Sequence, residues 1–364
     1  MSKKTIAFIA TTIERGGAEN FLVQIAIYLA KNYSYRILII GFQGEPHHLS
    51  LLEENGIIVR HYGTTKKTKS IFKMVGVLAS YLKDILKFSP TIIIANLQPS
   101  EVIVAFGSIF YKKAKNKLIR HNDEYGWGGK IVRKIIASRF HSYAAISNVC
   151  AKKLETECIK KSKINILHYG VKKINNKDIN KKRFTVKKTK NIINVAVLAR
   201  LEPQKNHIFL FKSINRINTF FKKKGKQIIF HFAGAGSLSE NLLPIVGDLD
   251  LDGKVIFYGK IKDVNSFLSA CDLSLLVSNY EGLGLVGLEC LRLGKCFVAP
   301  RIEPFIELYG HNNSSGVFLY EKDDVESLCK NINLGFLFNK ASLPKDFNLE
   351  TALKRWSNFI IEKN

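Results

Sequence analysis

Ser278-Asn279-Tyr280-Glu281-Gly282-Leu283-Gly284-Leu285-Val286-Gly287-Leu288-Glu289 is the stretch that decides the fold. An apolar segment, Leu273 to Val277, precedes it, and apolar residues at helical spacing follow it. This order predicts a strand, a glycine-rich turn and the start of a helix. Gly282 and Gly284 would let the backbone turn sharply or approach a ligand closely, because they carry no side chain.

The start of the predicted helix has the properties of an anion site. Its first N–H groups lack partners within the helix, and the helix dipole adds partial positive charge there. Glu281 would lie near the anion, and Glu289 about two helical turns further along. The alternative interpretation is a purely structural turn, since glycine-rich turns before helices are common in α/β proteins.

The same alternation of strands and helices extends over all 364 residues. Short aliphatic runs separated by helical patterns are typical of parallel sheets covered by helices on both faces. The sequence therefore predicts an α/β fold with two Rossmann-like, doubly wound domains. We place them at residues 1–172 and 191–346, with a Lys/Asn-rich linker at 173–190 and a C-terminal amphipathic helix within 347–364.

Charge is distributed unevenly between the two halves. Residues 1–190 hold 35 Lys and Arg against 12 Asp and Glu, whereas residues 191–364 hold 21 against 18. A basic first half suggests an acidic partner, either nucleic acid or an anionic membrane surface. A solvated lysine surface without a partner is the alternative.

A basic amphipathic helix is predicted at Lys130–Phe140, where apolar and basic residues alternate at helical spacing. Membrane-surface helices have this pattern. Isoleucines that face the core, with solvated Lys and Arg, explain it as well. No apolar run reaches the ~20 residues that span a bilayer, so we expect a cytoplasmic protein, peripheral on the inner face of the membrane. The six cysteines lack metal-ligand spacing and are predicted to be small buried apolar residues.

Two candidate positions lie in the first half. Gly16 and Gly17 form a second glycine-rich turn between a strand and a helix, without the spacing of a dinucleotide or P-loop site. His121 ends the predicted strand Lys117–Arg120, where parallel sheets bind ligands. A loop histidine without a role is the alternative for His121.

In the second half, four features converge on the carboxyl edge of the predicted sheet. They are Arg200 with Lys205, the turn of Gly234 and Gly236, Gly259, and the stretch from Glu281 to Glu289. Arginine grips phosphate oxygens as a planar fork and lysine adds a point charge. Such a pair suits a leaving nucleoside diphosphate, whose negative charge grows in the transition state. No metal is then required.

In these motifs the chain resembles the retaining nucleotide-sugar glycosyltransferases of family four, which have the GT-B fold. The resemblance covers nearly the whole chain, and the order and spacing of the motifs carry it. The motifs are Arg15-Gly16-Gly17-Ala18-Glu19, Ala199-Arg200-Leu201-Glu202-Pro203-Gln204-Lys205-Asn206, Ala233-Gly234-Ala235-Gly236, Val255-Ile256-Phe257-Tyr258-Gly259, and Ser278 through Glu289.

The resemblance implies a role for each matching position. It assigns the donor diphosphate to Arg200 and Lys205, the donor sugar to Glu281 and His121, and the ribose hydroxyls to Glu289. It implies that the backbone amides of four consecutive residues hold the phosphate, that the first-half glycine turn approaches it, and that the last helix crosses back to the first domain. The four amides belong to Gly282, Leu283, Gly284 and Leu285, and the glycine turn consists of Gly16 and Gly17. Gly234 is predicted to line the nucleotide.

Three departures from the family pattern are visible. Ala199 replaces the usual glycine before Arg200, and Tyr169 stands where an asparagine is common. Glu303-Pro304-Phe305 replaces a frequent Gly-Gly after Pro300, although Glu307 fits. In the family that segment often lines the donor sugar, so the identity of the donor sugar is left open.

The resemblance implies transfer of a sugar from a nucleotide sugar, here expected to be a UDP-sugar, to a glycan or glycolipid acceptor, without a cofactor. A nucleotide-sugar epimerase of similar fold is the alternative enzyme. A glycoside hydrolase would not need Arg200 and Lys205. We find no nucleic-acid-binding module and expect no nucleic-acid partner. Asp248-Leu249-Asp250 mimics a metal-binding motif, but we place it in a surface loop and expect no metal.

Overall fold

The computed structural model describes residues 4–14, 16–64, 71–96, 100–121, 130–174, 179, 184, 186–310, 315–338 and 341–362. The chain forms two compact units. One contains Met1–Tyr169 together with Glu350–Asn364, and the other contains Gly170–Leu349. Half of the predicted linker, 173–190, lies outside the described residues, and its boundaries stay a prediction.

The first unit is built on a seven-stranded parallel sheet in the order β3-β2-β1-β4-β5-β6-β7. Strand β1 lies between β2 and β4, and Ile6 pairs with Ile37 on one side and Ile92 on the other. The elements are β1 (Thr5–Thr12), α1 (Gly17–Tyr33), β2 (Arg36–Gln43), α2 (Leu49–Glu54), β3 (Ile58–Thr64), α3 (Ile71–Phe88), β4 (Ile92–Asn96), α4 (Ser100–Phe110), β5 (Lys115–Arg120), α5 (Lys130–Ala137), β6 (Ser142–Ala145), α6 (Asn148–Thr156) and β7 (Ile164–Ile166).

The second unit has a six-stranded parallel sheet in the order β10-β9-β8-β11-β12-β13. Its elements are β8 (Ile192–Leu198), α7 (His207–Lys222), β9 (Gln227–Ala233), α8 (Ser239–Asp248), β10 (Val255–Phe257), α9 (Val264–Ala270), β11 (Leu273–Leu275), α10 (Leu285–Arg292), β12 (Cys296–Pro300), α11 (Glu303–Tyr309), β13 (Val317–Tyr320) and α12 (Val325–Leu337).

The last helix, α13 (Leu349–Ile361), packs within the first unit. Trp356 is fully buried, and its ring contacts Phe21 and Tyr169. The indole N–H donates to the backbone oxygen of His168 at 3.1 Å. A buried aromatic ring with a satisfied polar group contributes strongly to the core. The C-terminal helix is therefore an integral part of the first unit.

The sheets confirm the predicted α/β class, and the near-continuous apolar strands explain why. Residues Ile6 to Ala10 are completely buried, which is typical of a parallel strand covered on both faces. Helices α2, α11 and α12 were not predicted from the sequence. The start of α12 had a visible signal, since the carboxylate of Asp324 accepts from the backbone N–H of Glu326 and of Ser327.

Replacement of Trp356 by alanine tests the role of α13. We expect Trp356→Ala to lower the unfolding free energy by about 3–5 kcal/mol, because it opens a cavity against Phe21 and Tyr169. Lys354→Ala, at an exposed position of the same helix, is the matched control and should change stability by less than about 0.5 kcal/mol. Urea unfolding measures both, and equal stability of the two variants would contradict the assignment of α13 to the core.

Candidate functional site

The strand order of the second sheet reverses between β8 and β11, which are neighbours although three helices and two strands separate them in the chain. Loops that leave such a reversal diverge to opposite faces and open a crevice at the carboxyl edge of the sheet. Arg200 and Lys205 follow β8, and the segment from Ser278 to Gly284 follows β11. The predicted ligand residues thus lie where the topology provides space.

These two loops are joined by hydrogen bonds. The backbone N–H of Asn279 donates to the oxygen of Gln204 at 2.8 Å, and Gln204 Nε2 donates to the oxygen of Tyr280 at 2.9 Å. Lys205 Nζ lies 2.5 Å from Glu281 Oε1. The loop after β8 is therefore held in register with the loop after β11.

Glu281 is a buried carboxylate with two donors on one oxygen. Its exposed fraction is 6%, and Ser278 Oγ donates to Oε1 at 2.7 Å beside the bond from Lys205. A buried carboxylate needs such charge-assisted bonds, since desolvation of an unpaired charge is costly. Because Ser278 and Lys205 both bind Oε1, they fix the orientation of Oε2. Ser278, itself fully buried, was not singled out in the sequence analysis.

Arg200 differs from Lys205. Its side chain is exposed and has no ion-pair partner within the described part of the chain. Its backbone is fixed, because His207 Nε2 donates to the Arg200 oxygen at 3.0 Å. His207 is buried, and burial lowers its pKa. A fixed backbone with an unengaged guanidinium suits Arg200 to an incoming anion.

Gly284 is required by two separate constraints. It caps α10 in the left-handed region, with φ of 70°. A Cβ atom there would also lie 2.2 Å from Phe305 Cε1. Phe305 belongs to the Glu303-Pro304-Phe305 departure, which the structure shows to be the first turn of α11. The departure is therefore packed directly onto the turn that starts α10.

The amides at the start of α10 follow this turn. Gly282 and Leu283 are buried and Leu285 is the first residue of the helix. The helix runs to Arg292, long enough for a helix dipole at its N-terminus. Glu289 lies in its middle and is partly exposed. Burial raises the pKa of Glu289, and nearby Arg292 opposes that shift.

Packing against a neighbouring loop requires a glycine at position 234, which the sequence did not reveal. A Cβ atom on it would lie 1.9 Å from the backbone oxygen of Ala199, the residue that replaces the usual glycine. The Gly234 N–H donates to the oxygen of Gly259 at 2.8 Å. This glycine therefore brings the loops after β8, β9 and β10 together. Its predicted contact with a nucleotide stays a prediction.

The corresponding edge of the first sheet carries the other candidates. Gly16 caps α1 and Gly17 begins it, whereas Arg15 lies outside the described residues. Glu19 occupies this helix start and accepts a hydrogen bond from Thr12 Oγ1 at 2.7 Å. A Cβ atom on Gly16 would collide with the Glu19 carboxylate at 2.1 Å. Glu19 was quoted within a motif but was given no role from sequence.

His121 lies at the end of β5 between two polar partners. Nε2 is 2.6 Å from Asn96 Oδ1, and Nδ1 is hydrogen-bonded to the hydroxyl of Tyr169. Because the amide oxygen only accepts, Nε2 carries the proton and the tyrosine donates to Nδ1. Burial, and then the charge of Arg120, lower the pKa of His121 to about 3. The imidazole is therefore neutral near pH 7.

Tyr169 is the residue that replaces the family's common asparagine. It is buried, stacks on Phe21 and has a pKa raised well above its usual value by burial. Sequence reasoning identified His121 from its position after a strand but missed both partners. Asn96 ends β4, so the same criterion would have found it. Residues 122–124, predicted to follow His121, lie outside the described residues.

Two further predictions concern cysteines and a metal motif. Five of the six cysteines are buried as predicted, while Cys158 is exposed. Asp248 ends α8 and was wrongly placed in a loop, whereas Asp250 is exposed before β10. Among the residues that the structure describes, no group of three or more His, Cys, Asp or Glu side chains has metal-site geometry.

The second half of this chain matches a known protein family, and the whole chain has known relatives. Residues 176–347 match the family of glycosyl transferases group 1. An uncharacterized glycosyltransferase of Haemophilus influenzae is 24% identical over 98% of this chain and 100% of its own length. A GalNAc-α-(1→4)-GalNAc-α-(1→3)-diNAcBac-PP-undecaprenol α-1,4-N-acetyl-D-galactosaminyltransferase of Campylobacter jejuni is also 24% identical, over 98% of each chain.

A solved structure shows the same fold. Anabaena HepE in complex with UDP and glucose superimposes with a TM-score of 0.79 at 19% identity, covering 98% of this chain and 99% of that one. The predicted resemblance to family-four glycosyltransferases and the predicted GT-B fold are confirmed. No helix within the described residues has the length and apolar character that a bilayer span needs.

Gly284→Ala tests the double constraint at the start of α10. We expect a loss of unfolding free energy of about 2–4 kcal/mol, since the left-handed backbone costs about 1–2 kcal/mol and the contact with Phe305 adds to it. Gly253→Ala is the matched control, because Gly253 has φ of 72° with open space around it. Equal losses in urea unfolding would show that Phe305 contributes nothing.

His121→Gln tests the neutral imidazole. An unfolded histidine binds a proton below about pH 6.5, whereas folded His121 stays neutral down to a pKa of about 3. The unfolding free energy should therefore decrease as the pH is lowered through this window, by up to about 1.4 kcal/mol per pH unit for one histidine. The variant should show a shallower fall between pH 7 and pH 5 in urea unfolding.

His231 provides the comparison for that experiment. It lies between Tyr258 and Asn194 in the second unit, and burial lowers its pKa to about 4. His231→Gln should flatten the pH dependence similarly. An unchanged slope in His121→Gln alone would mean that His121 is protonated in the folded protein at mildly acidic pH.

Proposed function

We propose that the chain is a retaining hexosyltransferase that moves a sugar from a UDP-sugar to a hydroxyl of a growing lipid-linked cell-surface glycan. One observation carries the donor assignment. At the reversal of the second sheet, the bonded pair of Lys205 and Glu281 joins the loop that carries exposed Arg200 to the loop that leads into α10. Cations and helix amides at one edge are what a diphosphate requires.

Arg200 and Lys205 bind the donor diphosphate in this proposal, with the amides of Gly282, Leu283, Gly284 and Leu285. Negative charge on the diphosphate increases as its bond to the sugar breaks, so fixed positive groups stabilise the transition state more than the bound donor. These groups make the proposed reaction independent of a metal ion.

Glu289 is proposed to accept hydrogen bonds from the two ribose hydroxyls. A carboxylate has two oxygens and can accept from neighbouring hydroxyls at once. Gly234 lines the nucleotide from the adjacent loop. HepE, the structural neighbour, was crystallised with UDP and with UDP-glucose, which supports a UDP-sugar as the donor here.

The reacting carbon is assigned to Glu281 and His121. Glu281 Oε1 already has two donors, so Oε2 is the oxygen proposed for a sugar hydroxyl. Neutral His121, whose two ring nitrogens are held by Asn96 and Tyr169, is proposed to lie beside the sugar without adding positive charge. The bond from the anomeric carbon to the diphosphate oxygen breaks, the acceptor oxygen bonds to the same face, and its proton moves to the leaving oxygen.

The acceptor assignment rests on a relative and on charge. The Campylobacter enzyme is named for an acceptor on diphosphoundecaprenol. We propose a lipid-linked acceptor of the O-antigen, capsule or lipopolysaccharide-core type, used by a peripheral protein at the cytoplasmic membrane face. The basic first half, with 35 Lys and Arg against 12 Asp and Glu over residues 1–190, supports an anionic surface as its partner.

Thermal stability in the presence of UDP-, GDP-, ADP- and CMP-linked sugars tests the donor site. At about 100 times its dissociation constant, the true donor should stabilise the fold by about 2.7 kcal/mol. Glu289→Ala should reduce this gain. Glu326→Ala, an exposed glutamate of the same unit, should keep it.

Stabilisation by UDP-sugars that Glu289→Ala leaves intact would contradict the role of Glu289. Stabilisation by another nucleotide class alone would contradict UDP. Nuclear magnetic resonance of the product gives the anomeric configuration, and inversion relative to the donor would exclude the retaining reaction.

A further inference from the structure

Helix α5 presents apolar side chains to solvent. Ile131 is 77% exposed, Ile135 is 55% exposed and Val132 is 44% exposed. Ile131 and Ile135 are four residues apart and lie on one helix face. All three side chains are large and aliphatic, so their transfer out of water would be favourable in free energy.

The core does not account for these residues. The inward face of α5 contains Ile136, and Phe140 follows on the same side; both are buried. The interpretation of Lys130–Phe140 as core-facing isoleucines with solvated basic residues is therefore wrong for Ile131 and Ile135. Helix α5 has apolar residues on both sides, and one side faces away from the sheet.

Helix α4 extends the apolar surface. Phe106, Ile109 and Phe110 have exposed fractions between 45% and 67%, and their spacing places them on one face. Helices α4 and α5 pack against each other. We call the six exposed residues the α4–α5 surface; they are Phe106, Ile109, Phe110, Ile131, Val132 and Ile135. Six exposed apolar residues on two helices that pack together are typical of an interaction site.

The C-terminal helix does not cover this surface. Helices α4 and α5 connect β4 to β5 and β5 to β6, whereas α1 connects β1 to β2 in the opposite direction along the sheet. Right-handed crossovers therefore place α1 on the other face. Since Trp356 of α13 packs on Phe21 of α1, α13 lies on that other face too.

Basic residues surround the α4–α5 surface. Lys134 and Arg139 are exposed on or just after α5, and Lys112 and Lys113 are exposed just after α4. From Lys130 to His141 the sequence has no acidic residue. Apolar side chains interleaved with cations are the composition of a helix that lies in the headgroup region of an anionic bilayer.

We propose that the α4–α5 surface docks the first unit onto an anionic membrane. Aliphatic and aromatic side chains enter the interface, and the four cations pair with lipid headgroups. This docking proposal rests on the proposed function in one respect: the membrane gives the enzyme access to a lipid-linked acceptor. A second copy of the chain fits less well, because two such surfaces would bring like charges together.

Cosedimentation of the full chain with vesicles tests this surface. Vesicles of phosphatidylethanolamine with phosphatidylglycerol should bind the protein, vesicles of phosphatidylcholine should bind it weakly, and salt should reduce the binding. Ile131→Ser with Ile135→Ser should weaken binding at least about tenfold, since the buried apolar area is lost. Lys134→Glu with Arg139→Glu should weaken it comparably and remove most of its salt dependence.

Leu334→Ser with Leu337→Ser is the matched control, because both leucines are exposed on α12 of the second unit. This variant should bind vesicles like the wild type. All variants should keep the stabilisation by donor nucleotide, which separates a failure of this surface from a failure of the proposed function.

Three results would overturn the proposal. One is a wild-type protein that does not bind anionic vesicles. Another is a pair of double serine variants, on α5 and on α12, that bind equally well. The third is a dimer in sedimentation analysis that Ile131→Ser with Ile135→Ser dissociates, which would assign the surface to a second copy.

Discussion

Most of this molecule follows from the reversal of strand order inside each parallel sheet. When parallel strands are buried on both faces, polar functional side chains are placed in the loops at the carboxyl ends of the strands. Where the order reverses, between β8 and β11 and between β1 and β4, neighbouring loops diverge and leave space. Apart from Glu289, which lies in the middle of α10, each candidate side chain lies in a loop or helix start at the carboxyl edge of its sheet, and none lies in a strand interior.

This constraint explains how a buried carboxylate can be tolerated. Glu281 is stable at 6% exposure because Ser278, from its own loop, and Lys205, from the loop across the reversal, supply two charge-assisted bonds. The same contact joins the two loops. Replacement of the family's glycines by Phe305 works in a similar way, since its ring fills the space that Gly284 leaves open. Local departures are thus compensated by contacts from the adjacent loop.

The sequence was sufficient for the fold because its signals are local and repeated. The predicted strand Lys117–Arg120 lies within β5, and the apolar segment Leu273 to Val277 contains β11. Short elements were missed, as α11 was, because a helix of seven residues shows the apolar spacing only once. The candidate site was predicted from single positions, Arg200, Glu281 and His121. Tyr169 could not be predicted as a partner of His121, since a hydrogen bond across 48 residues leaves no local pattern. Asn96 and Ser278 were missed although one ends a strand and the other lies three residues before Glu281.

Two histidines show that the same hydrogen-bond partners and the same pKa shift can occur at a ligand-binding edge and in a core. His121 and His231 each lie between a tyrosine hydroxyl on Nδ1 and an asparagine oxygen on Nε2, and burial lowers the pKa of both. His231 is inside strand β9 and only 1% exposed, so its partners satisfy a polar group in the core. His121 follows the last residue of β5 and stays partly exposed at the edge where ligands bind. The same three-residue arrangement therefore stabilises one sheet from within, and in the other it presents a neutral imidazole at the carboxyl edge.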